Sequence, residues 1–158
     1  EVAADTAVRF LFASREIKTL GGIWFYELMD GGSDPNDKEH HFGALTLSGT
    51  DKPLSCALKR LGPFIDSLTP VSSKVAAGAR VLTTALPDKT YITAIWQELW
   101  NADRPIHMNI TSKNAIQRIN LACIQPPPPP DQTSTTLNVT HSPIVLKHRA
   151  PLNILSAN

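Results

Sequence analysis

Charged residues are scarce in this chain of 158 residues. They make up 18% of it, against roughly 25% in an average globular protein, and the formal net charge is only +1. An apolar fraction of 42% with so little net charge excludes an intrinsically disordered chain. No run approaches the roughly 18 apolar residues of a membrane-spanning helix, and two cysteines are too few for a disulfide-dense miniprotein. The composition predicts a globular domain with a buried core.

Sequence motifs of catalysis and cofactor binding are absent as well. There is no GxGxxG or GxxxxGK phosphate loop, no GxSxG nucleophile elbow and no HExxH or CxxC metal motif. The acidic segment of residues 30–39 fails the EF-hand register and indicates a solvated loop. We therefore assign no catalytic residue, no metal ligand and no cofactor. Basic residues form no cluster beyond Lys59 and Arg60, so no nucleic-acid surface is predicted.

The two cysteines, Cys56 and Cys123, both sit among apolar neighbours in the sequence. This setting favours buried free thiols, with a disulfide or a reactive pair as the alternative. Two N-glycosylation triplets begin at Asn109 and Asn138, where about one would be expected by chance. Both asparagines are candidate modification sites and give weak support to secretion.

Hydrophobic periodicity predicts a mixture of helices and strands. A helix is predicted over residues 53–68, where apolar residues recur at three- and four-residue spacing, and Gly62 with Pro63 is expected to break or kink it into two pieces. Helices are also predicted over residues 72–86 and over residues 89–100, the second capped by Asp88. The predicted strands cover residues 7–13 (with a helix capped by Asp5 as the alternative), 23–29, 44–48, 106–110 and 118–124. This order indicates an α+β fold, a mostly antiparallel sheet with two to three helices on one face.

Five consecutive prolines divide the chain. They are Pro126, Pro127, Pro128, Pro129 and Pro130. They form a polyproline II rod of roughly 15 Å, which predicts a stiff spacer between a globular domain of residues 1–125 and a C-terminal arm of residues 131–158. The alternative is a docking ligand for an aromatic groove, although the flanking Gln125 and Asp131 do not match what the domains that commonly bind such ligands require.

The C-terminal arm is apolar in composition, which is not typical of a disordered tail. Ile144, Val145 and Leu146 form a compact apolar run, and short strands are expected around them. Such an arm needs a surface to pack on, either on its own domain or on another copy of the chain. The proline run and these three residues are therefore the candidate binding residues.

The sequence favours a non-enzymatic structural or interaction subunit that self-associates or docks a protein partner through sheet edges and the C-terminal arm. The low charge, the start at Glu1 and the apolar arm motivate this hypothesis. Its most concrete form is a viral coat- or matrix-type subunit cut from a longer precursor, which would be a virion or cytoplasmic component.

Two alternatives remain open. One is a small α+β enzyme or ligand-binding protein with a pocket lined by Trp24, Tyr26, Trp96 and Trp100. The other is a secreted, glycosylated adhesion or effector domain.

Overall fold

The computed structural model of the chain describes residues 2–98, 104–124 and 131–156. Two α-helices come first in the chain, α1 at Val2–Ser14 and α2 at Pro53–Ile65, with a 3-10 helix at Lys38–His41 between them. Seven strands follow. They are β1 at Thr69–Ala76, β2 at Ala79–Ala85, β3 at Tyr91–Gln97, β4 at Ile106–Ile119, β5 at Gln132–Val139, β6 at Ile144–His148 and β7 at Leu152–Ser156.

The strands form one antiparallel sheet in the order β1-β2-β3-β6-β4-β5, with β7 also paired to β4. The 14-residue strand β4 makes the sheet curl. Its first half pairs with β5 and β7 and its last four residues pair with β6, and its register with β5 shifts between Thr111 and Ile116. The structure confirms the predicted α+β class and the mostly antiparallel sheet.

Two hydrophobic cores lie on either side of β2, β3 and β6. In the first core Leu82, Ile92 and Val145 pack with side chains of α1 and α2. In the second core Val81 and other side chains of the same strands pack with side chains of β4 and β5. Because neighbouring strand residues point to opposite faces, these three strands contribute to both cores.

The prediction for α2 is confirmed and the strand predicted at residues 7–13 is wrong. Residues 2–14 form α1, the alternative, whose buried residues recur at helical spacing. Phe10, which suggested a strand by alternating with its neighbours, is exposed. Asp5 does not cap this helix and instead accepts a hydrogen bond from the Ser142 hydroxyl at 2.6 Å. Of the two expected effects of Pro63, a break or a kink, the break is wrong, because α2 continues through Pro63 and ends two residues later.

The helix predicted over residues 72–86 is a β-hairpin of β1 and β2. Its turn is formed by Ala77 and Gly78, both with positive φ, which is the geometry of a tight two-residue hairpin. Every residue of β1 except the last is exposed, whereas β2 is buried or half-buried along its whole length. The prediction failed because the Val, Leu, Thr and Ala residues of this short segment match both the helical and the strand period of hydrophobic residues.

The helix predicted over residues 89–100 is also wrong where the structure describes it, because residues 91–97 form β3. Six of the seven residues of β3 are buried. A strand buried on both faces loses its alternation, so Ile92, Ile95 and Trp96 match helical spacing by coincidence. Asp88, predicted as a helix cap, holds the turn before β3 by accepting hydrogen bonds from the Thr90 N–H and hydroxyl, both at 2.9 Å.

The C-terminal segment completes the chain's own sheet. Strand β6 pairs with β3 on one side and with β4 on the other. Ile144, Val145 and Leu146, predicted as binding residues, are buried in β6. They are therefore not available to a partner, because their apolar surface is used inside the fold. The proline run lies outside the described residues.

Cys56 and Cys123 form a disulfide, so the expectation of free thiols is wrong and the alternative holds. Cys56 is buried on α2, and Cys123 lies in the exposed segment that follows β4. The bond ties α2 to the end of β4 across 67 residues of sequence. Apolar neighbours did not distinguish the two cases, because thiols and disulfides both occur in cores.

Candidate functional site

The exposed apolar side chains are concentrated in one part of the structure. Among the described residues, ten of the fifteen large hydrophobic side chains that are exposed come from residues 10–47. We call this set the apolar surface, and it consists of Phe10, Ile17, Leu20, Trp24, Phe25, Tyr26, Leu28, Met29, Phe42 and Leu47. Contiguous exposed apolar patches on a protein surface mark sites of interaction.

The centre of the apolar surface is an extended segment, residues 21–29. A strand was predicted at residues 23–29, but the structure shows no ladder there and only a single parallel bridge between Met29 and Leu45. Leu45 also donates its N–H to the carbonyl of Leu28 at 2.9 Å. The strand predicted at residues 44–48 is likewise reduced to this bridge and one to Asp51. The backbone is thus anchored at the C-terminal end of the segment.

Side chains of the segment differ in exposure, and Phe25 and Met29 are less exposed than the three side chains that protrude most. Trp24, Tyr26 and Leu28 are 86%, 76% and 73% exposed. Ile23 is half-buried and packs against the first core, next to α1 and α2. One face of the segment therefore rests on the helices and the other face is open.

A buried ion pair fixes the C-terminal end of the segment. Asp30 accepts hydrogen bonds from the Lys52 ammonium at 2.7 Å and from the Gly43 N–H at 2.9 Å. The Lys52 hydrogen bond lowers the pKa of the Asp30 carboxyl below its usual range, and the Gly43 hydrogen bond acts in the same direction against the effect of burial. Lys52 also donates to the His41 carbonyl at 2.9 Å. The carboxylate thereby joins residues 41–43 to the end of the segment.

Two cavities flank the segment, and Phe25 borders both of them. The first has a volume of about 660 Å³ and lies between the segment and the ends of α1 and α2. Its wall includes Arg15, Ile23 and Trp24. The second, of about 500 Å³, lies beside the first turns of both helices and is bordered by Phe10 and Phe42, among other residues. The two cavities therefore form grooves on either side of Phe25.

The two ends of the segment differ in charge. Near its C-terminal end the Glu27 carboxylate raises the pKa of the Tyr26 hydroxyl, with smaller contributions from burial and from Glu39. Near its N-terminal end the Arg15 Nε atom is buried and has no hydrogen-bond partner within the described ranges. A buried guanidinium nitrogen without an acceptor is unusual in a native structure.

The pocket predicted from four aromatic residues is not assembled. Trp24 and Tyr26 are exposed on the segment, whereas Trp96 is 7% exposed and belongs to the first core. Trp100 lies outside the described residues. Sequence spacing identified aromatic residues but did not distinguish core positions from surface positions.

The acidic loop of residues 30–41 is held by its own side chains. The Asp37 carboxylate accepts from the Glu39 N–H at 3.0 Å, and the His40 Nδ1 atom accepts from the Asp34 N–H at 3.2 Å. Within the part of the chain that the structure describes, no three histidine, cysteine or acidic side chains are grouped as metal ligands would be. These hydrogen bonds shape the loop.

Asn109 and Asn138 are exposed on the neighbouring strands β4 and β5. The Asn138 Oδ1 atom lies 2.7 Å from the His107 Nδ1 atom, and the Asn109 Oδ1 atom accepts from the Thr136 hydroxyl at 2.9 Å. Their glycosylation stays a prediction. No helix among the described residues has the length and apolar character needed to cross a bilayer.

No protein family model and no curated protein sequence matches this chain. One solved structure shares its fold and is described as a family 39 glycoside hydrolase from the gut symbiont Bacteroides cellulosilyticus WH2. The TM-score is 0.67 and the sequence identity is 20%. The match covers 90% of this chain and 29% of that chain.

Proposed function

We propose that this chain is a non-catalytic β-sheet module that docks through its apolar surface onto a further folded unit of the same polypeptide. The observation that carries the proposal is the exposure of Trp24, Tyr26 and Leu28 on one open face. In this proposal α1 and α2 cover one face of the sheet, and their outer side, with the extended segment, forms the docking surface.

The free energy available from covering this surface is large. Fully burying an exposed large apolar side chain contributes roughly 1.5–3 kcal/mol, and the ten side chains of the apolar surface are between 37% and 86% exposed, so each contributes a corresponding fraction. Leaving them in water forgoes that contribution, and large exposed apolar patches mark interaction sites. A docked unit therefore explains why these residue types stand on the outside of the described fold.

The fold comparison supports a larger folded unit as the partner. In the structural neighbour the matched fold is 29% of a longer chain that is described as a glycoside hydrolase. By analogy, the proposal makes this fold a minor unit of a longer polypeptide here as well. We extend the proposal to a carbohydrate-active protein in which this module supports a larger unit.

Hydroxyl-radical footprinting tests the proposal, with the 158-residue chain and the product of its complete reading frame as the two samples. We expect the oxidation rates of Trp24 and Tyr26 to fall by at least about fivefold in the longer product, because a docked unit covers them. Val75, exposed on β1 away from the apolar surface, is the control and keeps its rate. Equal rates for Trp24 and Tyr26 in both samples would overturn the proposal.

Self-association through the same surface is the other form of an interaction function. Light scattering of the 158-residue chain separates the two forms, since a symmetric dimer persists at micromolar concentration. Docking within one polypeptide predicts instead that the longer product is monomeric. A longer product that dimerises through Trp24 would favour self-association.

A second candidate function is direct contact with carbohydrate. Two exposed aromatic rings, Trp24 and Tyr26, lie two residues apart on the open face. Aromatic faces carry a negative quadrupole that attracts the polarised C–H bonds of a sugar ring. Titration with cellohexaose and maltohexaose, followed by NMR, should shift the Trp24 indole resonance. Trp24→Ala should abolish binding and Val75→Thr should preserve it, while an unchanged spectrum would reject this candidate.

A further inference from the structure

We infer that the first of the two cavities is a binding site for a small amphipathic carboxylate, an anion with an apolar chain such as a medium-chain fatty acid. The guanidinium of Arg15 receives the carboxylate, and the apolar wall of the cavity covers the chain. The inference goes beyond the docking proposal and does not depend on it, because every residue of the site belongs to the 158-residue chain.

The cavity has the size and the lining of a small-molecule site. Its volume of about 660 Å³ lies within the roughly 300–1,000 Å³ of ligand pockets. Side chains from the C-terminal halves of α1 and α2 border it, together with the beginning of the extended segment. Ten of its seventeen lining residues are Leu, Ile, Trp or Phe, and an apolar wall with a small number of polar groups is typical of such pockets.

Arg15 supplies the polar contact that fixes the ligand. Its side chain borders the cavity, and its Nε atom is buried without a hydrogen-bond partner in the described structure. Glu16, the acidic residue next to it in the sequence, is engaged elsewhere, because its carboxylate accepts from Arg80 at 2.9 Å. A buried donor without an acceptor costs free energy. A ligand that brings an oxygen atom to Arg15 inside the cavity removes this cost.

The charges around the cavity match a ligand with a single negative charge. Besides Arg15, the charged residues of its lining are Lys18 and Asp66, so two positive charges and one negative charge leave a formal sum of +1. Neither cation forms an ion pair within the part of the chain that the structure describes. A guanidinium presents parallel N–H groups that fit the two oxygens of a carboxylate. A phosphate ester carries nearly two negative charges, more than this set balances.

The apolar part of the ligand follows from the side chains that surround Arg15 in the lining. Leu61 is buried in the first core, and Leu58, Ile65 and Ile23 are half-buried against that core while they also border the cavity. Trp24, which is 86% exposed, borders it as well. An alkyl chain placed along these side chains removes apolar surface from water on both partners. A carboxylate without a chain gains none of this, so the site favours an amphipathic anion.

An NMR titration of the 158-residue chain with decanoate, kept below its critical micelle concentration, tests the site. We expect saturable shifts of the Trp24 indole and of the Gly21 and Gly22 amides, while the amide of Val75 on β1 stays unchanged. Decanol lacks the charge, decyltrimethylammonium reverses it and acetate lacks the chain, so each should bind at least about tenfold more weakly than decanoate. Equal affinity for decanoate and decyltrimethylammonium would overturn carboxylate recognition. Absence of saturable shifts with decanoate would overturn the site itself.

Variants of Arg15 test its role in the same titration. Arg15→Met keeps an unbranched apolar side chain without the guanidinium, and it should weaken decanoate binding at least about tenfold while decanol binding stays the same. Arg15→Lys keeps the charge without the paired N–H groups and should lose less affinity than Arg15→Met. Arg9→Met is the matched control, because Arg9 lies on α1 outside the cavity lining and bonds to Asp5 and Thr6 instead. Undiminished decanoate affinity in both Arg15 variants, or an equal loss in Arg9→Met, would overturn the assignment of Arg15.

Discussion

His148 shows how one buried side chain ties three strands together. Its Nδ1 atom lies 2.7 Å from the Ala150 carbonyl, which can only accept, so this nitrogen carries the proton. The Nε2 atom then accepts from the Thr93 hydroxyl at 2.8 Å, and the Thr93 oxygen lies 2.9 Å from the Thr83 hydroxyl. The ring also stacks on Tyr91 at 5.5 Å. This chain of hydrogen bonds satisfies both nitrogens of the neutral imidazole.

The neutral state of His148 predicts a pH dependence of stability. Burial lowers the pKa of His148 below 6.5, against a smaller opposite effect of the Ala150 hydrogen bond. Below pH 6.5 the unfolded chain therefore binds a proton that the folded chain does not, so the free energy of unfolding falls as the pH drops from 6.5 toward the lowered pKa. The slope for one proton is at most about 1.4 kcal/mol per pH unit.

Urea unfolding between pH 8 and pH 5 measures this effect. His148→Gln is the control, because glutamine can form both hydrogen bonds but does not titrate in this range. Three carboxyl groups also have lowered pKa values, those of Asp30, Asp51 and Asp88. Their effect on the free energy of unfolding falls below about pH 5, outside the range from pH 8 to pH 5. Identical pH profiles for the natural chain and His148→Gln would contradict the assignment.

Gly43 is required by the close approach of two backbones. A Cβ atom there would overlap the backbone of Met29 and Asp30, so alanine would force residues 42–45 away from the extended segment. We expect Gly43→Ala to lower the free energy of unfolding by about 1–3 kcal/mol. Gly62→Ala is the matched control: it lies in α2 with open space around its Cβ, and it should stabilise by about 0.5–1 kcal/mol. Equal effects of the two changes, measured by urea unfolding, would argue against this role.

At the scale of elements, the sequence predicted α2 and the C-terminal strands and failed where periodicity was ambiguous. The apolar residues of α2 lie on one face of a helix and the rest face water, so its period is clear. In β3 both faces are buried, and alternation disappears. Residues 23–29 were predicted as a strand because aromatic residues prefer strands. In the structure this segment forms no strand ladder.

The disulfide is the covalent link between helices and sheet, so its removal tests their coupling. A loop closed across 67 residues restricts the unfolded chain by about 4 kcal/mol in the chain-entropy model. We expect Cys56→Ala with Cys123→Ala to lower the free energy of unfolding by about 2–4 kcal/mol. Reduction of the natural chain with dithiothreitol should give the same loss. An unchanged stability in both experiments would contradict the link.

For the whole molecule, the main difference from the sequence-based hypothesis is where the exposed apolar residues lie. Apolar content in the last 28 residues predicted a sticky arm, but Ile144, Val145 and Leu146 fill the chain's own cores. Most of the exposed large apolar residues in the described structure come instead from the first third of the chain. Composition does not distinguish apolar residues of the C-terminal arm from those of the first third of the chain. Only the pairing of β6 with β3 and β4 shows that the apolar residues of β6 are already buried within the fold.

This location predicts a local and separable effect of removing the apolar side chains. Trp24→Ser with Leu28→Ser should decrease the fluorescence of bound 8-anilinonaphthalene-1-sulfonate by more than about half, because the dye binds exposed apolar surface. Since both side chains are largely exposed, the free energy of unfolding should change by less than about 0.5 kcal/mol for each. Val71→Thr with Val75→Thr, also exposed but on β1, is the control and should leave dye binding nearly intact. Equal loss of dye binding in the two double variants would show that exposed apolar residues act independently of position, and the apolar surface would then not be a distinct site.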